Sequence, residues 1–218
     1  MKLRRLSVAA AALGLCSAVV LPATSATASS SSTKALGTSS LAALLTSDGN
    51  QFDRDADDFD LVTEAVLAVI AAKPHSPVAV LADGTTAVTA FVPTDRAFRN
   101  LAFQLTGTLV SDERALFNAL VSTVGVDTIE TVLLYHVVPG ATLTAADVLA
   151  GGSGTVKTAL GSRIRIEIVS RSAPIVRLRD RDHTDKDPYL ITSKLDLNAG
   201  NRQIAHAVTS VLRPVDLP

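Results

Sequence analysis

The sequence predicts an α+β domain, and three observations carry that prediction. In the first half, apolar residues recur at helical spacing, as in Leu61, Ala65, Val69 and Ala72. In the second half the period drops to two: Ile164, Ile166 and Ile168 alternate with Arg163, Arg165 and Glu167. Between them, residues 131–140 begin as a helix and end as a strand. Helices gathered in one half and strands in the other are the mark of α+β rather than alternating α/β architecture.

The N-terminus stands apart. Lys2, Arg4 and Arg5 precede an apolar run over 8–21, Pro22 breaks it, and Ala26-Thr27-Ala28 supplies small residues for cleavage. Residues 1–28 read as a secretory signal, 29–35 as a Ser/Thr-rich flexible leader, and 36–218 as a single domain. Cys16 follows the bulky Leu15 inside the apolar run, which argues against lipid attachment. Cleavage removes three of the 20 basic residues and none of the 21 acidic ones, leaving four more acids than bases. No basic stripe remains to meet phosphates, so nucleic acid is excluded as a main partner. The lone cysteine leaves too, so stability rests on a core and not on disulfides. No second apolar run of spanning length is apparent, and no stable membrane insertion is expected after cleavage.

A short helix is expected over 41–45, stopped by the turn signal Asp48-Gly49. The acidic run 53–60 follows. Asp53, Asp55, Asp57 and Glu64 imitate positions 1, 3, 5 and 12 of a calcium loop. Asp58 stands where that loop needs glycine, and Asp60 where it is usually apolar. The run is therefore read as an acidic start to the helix over 61–72, favoured by the macrodipole. Lys73-Pro74 stops that helix. Residues 78–81 read as a short extended piece and 87–92 as a strand ended by Pro93. Thr94 is the expected N-cap of the next helix, with Asp95 in its first turn and Ala97, Phe98 and Leu101 facing inward. Ser111-Asp112-Glu113 opens another helix.

In the central stretch, Asp127 and Glu130 have capping-box spacing, and Ile129, Val132, Leu133 and His136 share one face. Val137 and Val138 favour extended backbone, and Pro139-Gly140 marks a turn. Thr144 and Asp147 form a second capping box before Val148. Residues 151–154 read as a loose loop, 180–187 as a charged, solvated hairpin tip, 189–195 as a strand, and 204–212 as the last strand.

Three segments together resemble the fasciclin domain. Thr89-Ala-Phe-Val-Pro-Thr-Asp-Arg-Ala-Phe98 looks like the family's first motif. Leu134-Tyr-His-Val-Val-Pro-Gly140 looks like its Tyr-His segment. Ile204-Ala-His-Ala-Val-Thr-Ser-Val-Leu-Arg-Pro214 resembles its second motif. That motif departs from the pattern: Arg202 and Gln203 replace a common Asn-Gly, and Thr209 replaces a common acid. The resemblance implies helices of the N-terminal half packed on a wedge of mostly antiparallel strands. It also implies a secreted, non-enzymatic interaction or adhesion module, extracellular or associated with the cell wall, that binds a protein, glycan or matrix partner of the cell envelope. The motif residues it singles out as structural are Pro93, Thr94, Asp95, Phe98, Tyr135, His136, Pro139, Gly140 and His206. The alternative is an extracellular carrier holding an apolar small molecule between helices and sheet, which requires an apolar pocket of about 300 Å3 or more.

Tyr135 and His136 are the candidate binding residues. A histidine on the apolar face of a helix that turns into a strand is more readily a buried, hydrogen-bonded staple, with Asp95 or Thr94 as the expected partner of His136. His206, on the last strand, has the same two readings. No two histidines have metal-ligand spacing, and no cofactor is called for. His183 among Asp180, Asp182, Asp185 and Asp187 is the other place considered for a divalent ion, and it reads as a solvated turn. There is no nucleophile elbow and no phosphate or dinucleotide fingerprint. Arg163, Arg165, Arg177 and Arg179 on the wet sheet face are a candidate contact surface.

Overall fold

The computed structural model describes residues 35–47, 49, 51–170, 172 and 174–215. The signal, nearly all of the leader, Cys16 and Asp48 lie outside the described residues.

Among the described residues, five α-helices and six strands follow one another as α1 (Leu41–Leu45), α2 (Asp60–Ala72), β1 (Val88–Pro93), α3 (Asp95–Thr106), α4 (Glu113–His136), β2 (Val137–Pro139), α5 (Ala145–Gly151), β3 (Gly154–Lys157), β4 (Arg163–Ser170), β5 (Ile175–Arg179) and β6 (Gln203–Val208). They build two three-stranded sheets, ordered β2-β1-β6 and β3-β4-β5. The strands pair antiparallel except for β1 with β6, which run parallel from Val88 opposite Gln203 to Pro93 opposite Val208. Both strands of that parallel pair are buried at every position, as a pair covered on both faces must be. Mixed helices and sheets of this kind are the expected α+β class.

Local chemistry explains most of the helix ends. Ser40 accepts from the Ala43 N–H and Asp112 from the Ala115 N–H, each satisfying a donor the helix leaves open. Thr144 and Asp147 form a reciprocal capping box on α5. Asp127 and Glu130 do not make the expected box. Lys73 draws both carboxylates, bonding Glu130 at 2.5 Å and pairing with Asp127. α4 is broken at Gly125, whose φ of 77° and ψ of 162° lie in a region essentially reserved for glycine.

Three expected strands come out differently. Residues 77–82 form a 3-10 turn, because Ser76 caps the Val78 N–H and Pro77 is preset for a helical start. Residues 189–195 supply only isolated bridges, Tyr189 to Arg177 and Leu190 to Val208, before a 3-10 turn at Thr192–Lys194. β6 stops at Val208 and not at 212: the Leu212 N–H goes to His136 and the Arg213 N–H to Asp180, so side chains replace the ladder. β3 forms at and beyond the end of the loop expected over 151–154.

Two apolar clusters result. One joins Leu41, Leu61, Val69, Ala90, Phe98, Leu116 and Leu133 among the helices and one face of β1 and β6. The other joins Phe91, Tyr135, Ile164, Leu178 and Leu212 between the two sheets.

Candidate functional site

His136, the last residue of α4, stands where the two clusters meet. Its Nε2 accepts from the Leu212 N–H at 2.9 Å, so that nitrogen carries a lone pair. Nδ1 therefore carries the proton and donates to the Val132 carbonyl at 2.7 Å. Burial holds the imidazole neutral, with its pKa lowered to about 4. His136 thus pins the end of the chain to the helix-to-strand joint. The expected partners, Asp95 and Thr94, are not the ones used, since backbone groups satisfy both ring nitrogens. Tyr135 is fully buried and donates to the Arg163 carbonyl at 3.2 Å, tying the joint to β4. Burial raises its phenol pKa.

His206 uses the opposite tautomer. Nδ1 accepts from the Asp196 N–H at 3.2 Å, and Nε2 donates to the Leu143 carbonyl at 2.8 Å. The two histidines are staples of the same kind, each holding a loop to the central sheet.

Asp95 is fully buried at the first turn of α3. Its Oδ1 accepts from the Leu61 N–H at 3.0 Å, capping α2 from outside that helix. In return the carbonyls of Asp58 and Ala56 accept from the Asp95 and Arg96 N–H groups. Thr94 holds the N-cap position but makes no side-chain cap bond; the carbonyls of the 53–60 segment take over that work. Burial pushes the Asp95 and Asp58 carboxyls above the usual range, Asp95 the further.

The 180–187 segment is not a solvated tip. Asp180 and Asp182 are buried, and Arg213 enters among them, bonding Asp182 at 3.1 Å and lying 3.5 Å from Asp185. Arg213 also donates to Gln104 of α3. On the wet face, Arg177 is taken up by Glu167 at 2.5 Å, and Arg179 lies 3.6 Å from Asp187, which neutralises part of the supposed contact surface.

Several concavities open among the described residues, and the most apolar of the larger ones lies elsewhere. A cleft of about 280 Å3 opens among α2, α3 and the two halves of α4. Leu105, Phe117, Leu120, Val124, Ile129 and Val132 dominate its walls, and no charged residue lines it. β1 contributes only Pro93, so the cleft sits between helices and not between helices and sheet. α4 is apolar enough along an 18-residue window, mean hydropathy 1.3, to pass for a membrane span, yet only 17% of that window is buried. Its length and composition escaped the sequence reading because Gly125 divides it. Its apolar side chains line an open groove.

The sequence profile of the fasciclin domain matches residues 63–214. This chain belongs to the fasciclin family. No curated protein sequence matches it. Among solved structures, the FAS1 domain pair from the insect cell adhesion molecule Fasciclin I is similar to this fasciclin domain at 16% identity and a TM-score of 0.45, over 68% of this chain and 44% of that one. The chain spans less than half the length of that pair. Fasciclin domains are in general non-enzymatic adhesion or interaction modules of the cell surface or the extracellular space.

Within this fasciclin domain the motif residues divide by location. Pro93, Phe98 and His136 border the cleft. Tyr135 and His206 are sealed between the sheets, and Asp95 is sealed at the α2–α3 junction. Pro139 and Gly140 are exposed at the turn after β2, where Gly140 takes a φ of 79°. Ile129, Val132, Leu133 and His136 were placed on one apolar face from sequence, but not at a cleft. The available signal was Gly125 inside a helical pattern, an interruption that marks a bend.

Proposed function

We propose that this fasciclin domain acts outside the cell as a non-enzymatic interaction module, and that it seats an apolar group of an extracellular protein or cell-envelope component in the α2–α3–α4 cleft. The observation that supports this reading is the uncharged cleft itself, open along a helix whose apolar side chains are only half covered. Removing apolar surface from water drives such seating at about 25 cal/mol per Å2, and exposed apolar clefts of this kind mark binding sites. The test is binding of the purified protein to cell-envelope fractions, compared with Val132→Phe, which fills the groove. The expected result is loss of binding with the circular dichroism spectrum unchanged. Equal binding by the filled variant contradicts the reading.

A second reading, a carrier of an apolar small molecule, is favoured by the apolar, uncharged lining of the cleft, although its volume of about 280 Å3 falls just short of the lower bound for small-ligand sites. Saturable enhancement of an apolar fluorophore such as 1-N-phenylnaphthylamine, abolished by the same substitution, together with a copurifying lipid, distinguishes it from partner binding alone.

A further inference from the structure

The wet face of the β3–β4–β5 sheet carries more cations than its carboxylates can hold. Arg163, Arg165 and Glu167 of β4 share that face, and the register sets Lys157 opposite Arg163, Arg179 opposite Arg165 and Arg177 opposite Glu167. At one end, Glu167 and Asp187 take up Arg177 and Arg179. At the other end, Lys157, Arg163 and Arg181 are exposed, and among the described residues none of them forms an ion pair. Like charges set directly opposite on paired strands are destabilising, so the Lys157–Arg163 pair costs the sheet stability that an anion beside it restores. The three cations border one hollow of about 470 Å3, lined also by Gly161 and Ser162. The turn carrying those two residues is fixed. The Ala159 N–H donates to the Val137 carbonyl at 2.7 Å, the Leu160 N–H to the Leu134 carbonyl at 3.1 Å, and the Thr158 N–H to the Ser162 carbonyl at 2.9 Å. Ser162 and Arg181 also line an adjoining groove of about 460 Å3, whose other walls include Val132, Leu160, Pro214 and Val215. The carboxylate in that groove, Asp127, is already paired with Lys73.

We propose that the hollow and the groove together bind a single-chain lipid with a phosphate headgroup, the phosphate on Lys157, Arg163 and Arg181 and the chain along Leu160, Val132 and Pro214. A phosphate monoester carries close to two charges and three acceptor oxygens, which suits three cations better than the single charge of a carboxylate. Guanidinium groups engage it in bidentate fashion. An apolar groove opening directly off the cations fits a chain attached to that headgroup, since free phosphate leaves the groove in water. The fixed turn holds the cations' end of the site before the ligand arrives, which lowers the ordering cost of binding. Three cations gathered by strand pairing make a local site and not the stripe that nucleic acid requires. The site is distinct from the α2–α3–α4 cleft, with which it shares Thr128 and Val132 as a common rim. Neither proposal depends on the other.

The test is calorimetric titration of the purified protein with decyl phosphate below its micelle concentration, beside inorganic phosphate, hexyl phosphate and decanol, with amide NMR to place the ligand. Decyl phosphate is expected to bind at one site at least about tenfold tighter than each of the other three, with shifts at Lys157, Leu160, Ser162 and Arg181, and to weaken as salt rises. The double variant Arg163→Gln/Arg181→Gln, at two exposed positions, is expected to lose at least about tenfold in affinity for decyl phosphate, with an unchanged circular dichroism spectrum. Arg179→Gln, on the same face but beside Asp187, leaves the affinity unchanged. Decyl phosphate binding no tighter than inorganic phosphate means that the groove holds no chain. Binding no tighter than decanol, or equal binding by the double variant, means that the cations read no headgroup. Each of these outcomes overturns the proposal. Decanol shifts at Leu105 and Phe117 report on the α2–α3–α4 cleft alone, so failure there and failure here are told apart.

Discussion

Both halves of this domain bury an apolar core, with Leu41, Leu61, Val69 and Leu116 as well covered among the helices as any residue between the sheets, but the helical half also opens an apolar cleft. Between the sheets, Phe91, Tyr135, Ile164, Leu178 and Leu212 are almost wholly covered, and the two polar tips there, Tyr135 and His206, each have a backbone partner. In the helical half, Val124, Ile129 and Val132 stand half exposed along a cleft of about 280 Å3. A close-packed interior tolerates few voids, so an uncharged groove kept open along a broken helix is where a guest fits. The filled half is the scaffold. His136 sits on the border and serves both, closing the sheet half through Leu212 while bordering the cleft.

The largest way to break this contrast is at the edge of the filled half. Arg213→Ala removes the cation that Asp182 and Asp185 surround, and breaking a buried ion pair from one side costs about 3–5 kcal/mol. Denaturant unfolding checks this; a loss under about 1 kcal/mol shows the ion cluster to be solvated after all. Next comes a matched pair. Leu178→Ala, at a fully buried position, is expected to cost about 2–5 kcal/mol. Ile129→Ala, on the cleft wall, is expected to cost less than about 1.5 kcal/mol, because less apolar area is lost. Equal costs would mean that the two halves are packed alike.

The border residue gives a pH effect of intermediate size. The pKa of His136 is lowered by burial from 6.5 to about 4. Below pH 6.5 the unfolded chain therefore takes up the proton first. The contribution of the neutral ring is fully present above that pH and is lost as pH falls towards 4, on the order of 3 kcal/mol in all. His136→Gln is expected to be less stable at pH 7 but to show a flatter acid limb between pH 6.5 and 4. An unchanged limb would place the acid sensitivity in other groups.

Much of the filled half was legible in sequence, because a two-residue period and β-branched strands report burial directly, as in Ile164, Ile166 and Ile168. The helix-to-strand joint at His136 was legible for the same reason, as the period changes at one residue. What was not legible depends on convergence across the chain. Asp58 and Asp95 are brought together only by the reciprocal capping of α2 and α3, so the acidic run read as a solvated helix start. Asp180, Asp182 and Asp185 looked like a wet turn because the arginine that buries them, Arg213, arrives from the far end. The 77–82 segment misled because apolar Val78, Val80 and Leu81 suit a strand, while the Ser76-Pro77 signal for a helical turn decides the backbone. The cleft escaped because an absence of packing leaves no mark on the period of the residues that line it.

The claim that the helical half is the receiving surface is tested most directly by amide NMR during titration with an apolar probe such as decanol. The account predicts saturable shifts concentrated at Leu105, Phe117, Val124, Ile129 and Val132, with the strands carrying Ile164 and Leu178 unmoved. Shifts gathered on the Arg163 and Arg165 face, or no saturable shift at the cleft, would contradict it.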